Sequence, residues 1–190
     1  MSLHGAALWK NDVIQLLSET EIREGVSRMA ADVTARYHER PLTVLGVMTG
    51  SVVLLADLIR QLNMPLRVGV VQTSSYREGT EPGALRINDE WMPDVRDREV
   101  LLVDDIFDTG HTLAMLLERI GNLQPKSLRT AVLLLKQGRQ KVPPLPDFVA
   151  FEIPDLFVVG YGLDYRDQYR NLPFVAALEA ADLQNFDERS

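Results

Sequence analysis

An α/β fold, doubly wound around a mainly parallel sheet flanked by helices, is predicted by three observations on this chain. Apolar runs of strand length alternate with stretches of helical spacing, as right-handed crossovers between parallel strands require. One run, Val100-Leu101-Leu102-Val103, feeds two adjacent acids, a turn and a helix, the arrangement that open sheets present at their carboxyl edge. At 190 residues, 46% hydrophobic and 25% charged, the chain has the composition of one globular domain with a full core.

The elements follow in order. Over 12–40, Val13, Ile14, Leu16, Leu17, Ile22, Val26 and Met29 recur at helical spacing with Ser18 and Thr20 as caps, predicting a short helix and then a longer one. Residues 43–48 form a continuous apolar strand ending at Gly50, and 52–62 return to helical spacing. A second strand over 66–71 leads into 72–88, a polar stretch with Gly79, Pro82 and Gly83 that reads as a long loop, a lid or binding loop in such a domain. Strand 100–103, the turn Asp108-Thr109-Gly110 and a helix over 113–123 come next, and 128–135 and 157–161 supply further strands.

A formal net charge of -7, from 20 basic and 27 acidic residues, offers no positive field to a nucleic acid. With no cysteine, disulfides and thiol chemistry are excluded. The opening MSLHGAALWK lacks a basic region followed by an apolar core, and no apolar run is long enough to span a bilayer. A cytoplasmic protein without membrane or nucleic-acid partners is expected.

The chemistry concentrates in Asp104-Asp105-Ile106-Phe107-Asp108-Thr109-Gly110-His111-Thr112. Four apolar residues bury the preceding strand, so Asp104 and Asp105 face a ligand crevice at its carboxyl end. Thr109, Gly110 and Thr112 stand at a helix start, where unpaired N–H groups and the dipole favour a phosphate. Neither a Walker lysine nor a dinucleotide glycine pattern is present. Singly, these acids read as a strand end and a helix cap. Three carboxylates within five positions repel one another unless a cation or hydroxyl donors offset them, which favours a ligand site.

This segment resembles the phosphoribosyl pyrophosphate motif of type I phosphoribosyltransferases. The resemblance implies that Asp104 and Asp105 bind the ribose hydroxyls, that 108–112, His111 included, hold the 5′-phosphate, and that Asp108 is the catalytic acid/base at purine N7. Three further segments resemble the hypoxanthine-guanine branch. Gly46-Val47-Met48-Thr49-Gly50-Ser51 is similar to its pyrophosphate loop, where a non-proline cis bond between Met48 and Thr49 is implied, and Ser74-Ser75-Tyr76 to the opening of its mobile lid. The stretch 148–165, with Tyr169-Arg170-Asn171-Leu172 after it, is similar to its purine-binding hood.

From that likeness, Thr49, Gly50, Ser75, Tyr76 and Arg170 join the phosphoribosyl pyrophosphate site. Phe157 stacks on the base, the Val158 main chain meets its pyrimidine edge, Lys136 donates to the 6-oxo group, and Asp164 binds Mg2+, with Asp104 and Asp105 beside it. Asp164 thereby also stands beside the purine. Taken singly, Phe157 reads equally as core and Lys136 as a solvated strand end. The likeness further implies a single domain, 1–190, whose small hood subdomain combines the N-terminal segment with about 148–190, and a homodimer or homotetramer.

Two departures stand out: the family commonly carries a basic residue where this chain has Thr49, and a lysine where it has His111. Weaker pyrophosphate affinity is expected. The expected reaction transfers the phosphoribosyl group to N9 of hypoxanthine or guanine. Its rivals are a transferase preferring xanthine or another base, and a non-catalytic regulator that senses phosphoribosyl pyrophosphate and controls transcription or binds RNA, which the acidic chain disfavours.

Overall fold

A computed structural model describes residues 13–75 and 85–178. Its centre is a six-stranded sheet in the order β4-β3-β2-β5-β6-β7, built from β2 (Leu42–Met48), β3 (Leu66–Ser75), β4 (Leu85–Asn88), β5 (Glu99–Phe107), β6 (Ser127–Lys136) and β7 (Phe148–Ile153). Every pairing is parallel except that of β3 with β4. Alternate residues face opposite sides of a strand, and both sides are filled. Leu42, Val44, Leu101, Val103, Ala131 and Leu133 share one core with helices α1 (Glu19–Tyr37) and α2 (Val52–Ile59); Leu45, Val47, Val100, Leu102 and Val132 share the other with α3 (His111–Gly121). Burial on both faces explains why these strands are continuously apolar rather than alternating.

A separate three-stranded antiparallel sheet joins β1 (Ile14–Leu17), β9 (Val175–Ala177) and β8 (Val158–Val159). Here the structure corrects the expected short first helix. Four residues are too few to sustain a helix alone, and Ile14–Leu17 instead draws its hydrogen bonds from β9. Ser18 then starts α1 with a capping box: its hydroxyl accepts from the Glu21 N–H at 3.3 Å, and the Glu21 carboxylate accepts from the Ser18 N–H at 2.8 Å. Ser18→Ala is expected to cost about 1 kcal/mol, read as a lower midpoint in urea unfolding with an unchanged slope.

The loop expected over 72–88 is also corrected. β3 continues through Ser75, and β4 returns beside it from Ser75↔Leu85 to Gln72↔Asn88. Polar side chains are at home on this edge ladder, which hid the strands from a core-periodicity reading. Tyr76 and the rest of the expected lid, 76–84, lie outside the described residues. Strand 157–161 shrinks to Val158–Val159 and belongs to the small sheet, while 148–153, not anticipated as a strand, is the edge strand β7.

The order of the sheet positions the site. From β2 the chain winds outward to β3, and later returns to place β5 on the other flank of β2. The carboxyl ends of β2 and β5 therefore sit side by side at the topological switch point, where α/β sheets open their crevice.

Candidate active site

At the end of β2, Met48, Thr49 and Gly50 turn into α2, and the Met48–Thr49 peptide bond is cis. The buried Ser51 closes this turn, its hydroxyl donating to the Val47 carbonyl at 2.7 Å. Gly50 backs directly onto Asp105, since a Cβ there would lie 1.7 Å from the Asp105 Oδ2. The first loop and the acid pair are thus built against each other.

Asp104 and Asp105 lie within β5 rather than beyond it. Asp104 accepts from the Asp105 N–H at 2.9 Å, and Asp105 from the Ile106 N–H at 2.8 Å. Burial, and then the neighbouring Asp105 charge, push the Asp104 carboxyl well above the usual range; burial pushes Asp105 up as well. Such a pair accepts hydroxyl donors or a cation readily.

Gly110 caps α3 with φ +90° and no side-chain hydrogen bond, so the first N–H groups of the helix have no side-chain cap. A residue with a Cβ would be strained at that φ and would meet the Val142 carbonyl at 2.4 Å. The Thr109 carbonyl accepts from the Lys141 and Val142 N–H groups at 3.0 and 3.1 Å, which anchors the turn to the segment after β6. Open N–H groups at a helix start form an anion site.

Asp108 is paired with two cations. Its Oδ1 accepts from Arg139 Nε at 2.8 Å, and its Oδ2 lies 3.4 Å from Lys136 Nζ. Burial would raise this carboxyl, but the Arg139 hydrogen bond and the Lys136 charge outweigh it and hold it below the usual range. Asp155 faces the same cations, 3.5 Å from Lys136 Nζ and 3.6 Å from Arg139 Nε. Sequence reasoning reached Lys136 but missed Arg139 and Asp155; the one available signal was a second cation three residues past Lys136, beyond a turn glycine.

Arg170 Nη2 lies 2.7 Å from Asp164 Oδ1, and its Nη1 donates to the Gly162 carbonyl at 2.7 Å. The Tyr161 hydroxyl donates to Asp57 on α2 at 2.7 Å, tying this loop to the helix that follows the first turn. Phe157 is 42% exposed and meets Tyr165 edge-on at 5.3 Å, which rules out a core role. Val158 is buried in the small sheet.

One cavity of about 350 Å³ gathers Thr49, Gly50, Asp104, Asp105, Asp108, Thr109, Gly110, Thr112, Asp164 and Arg170. Lys136, His111, Phe157 and Val158 do not line it; Lys136 reaches it through Asp108. The Ser75 backbone ends β3, and Tyr76 is outside the described residues. A larger cavity of about 620 Å³, between α1, α2 and residues 161–173, shares only Arg170 with the first and contains neither the acid pair nor the α3 turn. The chemistry selects the smaller one.

Among the described residues no three His, Asp or Glu side chains gather to hold a metal by themselves. The residues instead fit Mg2+, which keeps waters and takes one or two carboxylates with substrate phosphate oxygens; Asp104, Asp105 and Asp164 all face the cavity where those oxygens would lie.

A doubly wound sheet whose switch point joins a helix start without a side-chain cap to the buried Asp104 and half-buried Asp105 has the architecture of a sheet-edge site for an anionic, hydroxyl-bearing ligand. Residues 12–166 match the phosphoribosyl transferase domain family. The chain is 40% identical over 166 residues to a hypoxanthine-guanine phosphoribosyltransferase of Staphylococcus epidermidis, covering 87% of this chain and 93% of that one. It is 37% identical over 176 residues to that of Bacillus subtilis, covering 92% and 98%. The solved hypoxanthine phosphoribosyltransferase of Staphylococcus aureus superposes with a TM-score of 0.87 at 35% identity, covering 93% of this chain and 97% of that chain. The chain belongs to the phosphoribosyltransferase family, in its hypoxanthine-guanine branch.

Proposed function

We propose that this enzyme transfers the phosphoribosyl group of phosphoribosyl pyrophosphate to N9 of hypoxanthine or guanine, giving IMP or GMP and pyrophosphate in purine salvage. The observation that carries this reading is the convergence of the β2 turn, the Asp104–Asp105 pair and the open start of α3 on one cavity. In this reading the α3 turn holds the 5′-phosphate, with His111 at its rim. Asp104 and Asp105 accept from the ribose hydroxyls, Thr49 and Gly50 meet the pyrophosphate, and Arg170 supplies charge beside it.

The purine N9 lone pair forms the bond to C1 of the ribose while the C1–O bond breaks, and pyrophosphate leaves with that electron pair. Asp108 accepts the proton released at N7. Lys136 donates to the 6-oxo group, the exposed face of Phe157 stacks on the base, and the Val158 main chain meets its edge. Mg2+, held by Asp164 with Asp104 and Asp105 near, would neutralise pyrophosphate charge. The small sheet of β1, β8 and β9 serves as the hood over the base within a single domain, 1–190, and Ser75 and Tyr76 open the lid. A homodimer or homotetramer in the cytoplasm goes with this reading; no described helix is long and apolar enough to cross a membrane.

Pyrophosphate release measured with hypoxanthine, guanine, xanthine and adenine tests the assignment: the first two should be consumed, and activity with none of the four would defeat it. Lys136→Ala should lower kcat/KM for both 6-oxopurines by about 10–10²-fold, the worth of a charged hydrogen bond. An unchanged value would mean that another group reads the oxygen.

A further inference from the structure

We infer that Arg139 is a positioning residue for the reaction: it holds the Asp108 carboxylate ionised and correctly aimed while Lys136 leaves that carboxylate for the base. The inference rests on the assignment of Asp108 as the proton acceptor, and it begins from a ring of alternating charge at the edge of the cavity. Asp108 lies between Lys136 and Arg139, and Asp155 closes the ring on the same two cations.

The two cations are not equivalent. Arg139 holds one carboxylate oxygen by a direct Nε–H hydrogen bond at 2.8 Å, whereas Lys136 stands at 3.4 Å from the other. Lys136 also has a second duty, since it is the donor proposed for the 6-oxo group, and an ammonium on a flexible stem moves between acceptors more easily than a planar guanidinium. When a base arrives and draws Lys136 away, Asp108 Oδ2 becomes open to the N7 proton and Oδ1 remains held. Without Arg139 the same step would leave Asp108 with neither a fixed orientation nor a neighbouring positive charge. Asp155 completes the device by keeping a carboxylate beside both cations, so that the arginine stays in place after the lysine moves.

The charged groups facing Asp108 come from three places: Lys136 at the end of β6, Arg139 in the turn after it, and, through these two, Asp155 ahead of β8. Burial opposes ionisation of Asp108 and the two cations favour it. Removing Arg139 therefore moves the Asp108 pKa upward, and the carboxylate form needed for the forward reaction is lost at a higher pH as the solution is acidified.

The test measures forward kcat and KM against pH in the full-length enzyme with hypoxanthine, phosphoribosyl pyrophosphate and Mg2+, for Arg139→Met, Arg139→Lys, Asp108→Asn and the Asp108→Asn/Arg139→Met pair. Arg139 is 39% exposed in its side chain, so the fold should tolerate both replacements. The expected result for Arg139→Met is a kcat lower by about 10–10²-fold, as for a misplaced catalytic group. Its acid limb should move to higher pH, with KM for phosphoribosyl pyrophosphate unchanged. Arg139→Lys should return the limb toward its original position, and Arg139→Met should add nothing once Asp108 is Asn. A wild-type pH profile in Arg139→Met, in an enzyme that Asp108→Asn does cripple, overturns the inference and leaves the assignment of Asp108 standing. Wild-type turnover in Asp108→Asn removes that assignment and the inference with it.

Discussion

Asp108→Asn should lower turnover by about 10²–10⁴-fold, the usual worth of general acid/base assistance, while the affinity for phosphoribosyl pyrophosphate stays near normal. The two effects separate because of what each atom does. Asparagine keeps the shape of the side chain and can still accept from Arg139, but its amide cannot take the N7 proton at any working pH. The proposed 5′-phosphate site draws on N–H groups of the α3 start, capped by Gly110 and anchored through the Thr109 carbonyl, and none of these depends on the Asp108 charge. Steady-state rates paired with calorimetric titration of phosphoribosyl pyrophosphate under Mg2+ read the two quantities independently. Near-normal turnover in a folded variant would leave positioning and Mg2+ as the sources of catalysis. A loss of sugar binding without a loss of turnover would assign Asp108 to the substrate site instead. In the reverse direction the protonated acid is the useful form, so pyrophosphorolysis should favour lower pH than synthesis does.

The strands that build the site were readable because they are buried on both faces. Val100 to Val103 must be apolar throughout to sit between α1 and α3, and that same burial explains why the acids after them mark a functional edge. Elements that depend on distant partners were not readable. Ile14–Leu17 has no period of its own in four residues and becomes a strand because Val175–Ala177 lies beside it. The β3–β4 edge pairs polar Gln72 and Thr73 with Asn88 and Ile87, and a core contact as isolated as that of Ile87 is too short to show as a period. Likewise Arg139 and Asp155 are 31 and 47 positions from Asp108 along the chain, and only the fold makes them its neighbours. Phe157 shows the opposite case: the chemistry of an aromatic beside a cation was visible, but its exposure had to be seen before a core role could be set aside.

Gly50→Ala should lower kcat/KM for phosphoribosyl pyrophosphate by at least about 10²-fold, the cost of misplacing a positioning group by about 1 Å. The argument is one of space. The added methyl would lie 1.7 Å from Asp105 Oδ2 and 2.5 Å from its Cγ, far inside contact distance. Asp105 cannot turn aside freely, because its Oδ1 accepts from the Ile106 N–H at 2.8 Å. Either the loop at 48–51 lifts away from β5 or the carboxylate swings out of its proposed ribose position, and each movement separates two groups that the proposed reading brings to one substrate molecule. Folding should be nearly unaffected, since the apolar cores on both faces of the sheet contain neither residue. Gly121→Ala provides the control: it lies at the far end of α3 with nothing within 4 Å of the new methyl, and should leave kcat/KM unchanged. Comparing kcat/KM with the thermal midpoint for both variants separates the explanations. Wild-type kcat/KM in Gly50→Ala would show that the first loop and the acid pair need not touch to bind the sugar pyrophosphate. A matching fall in thermal midpoint would show that the contact supports the fold rather than the site.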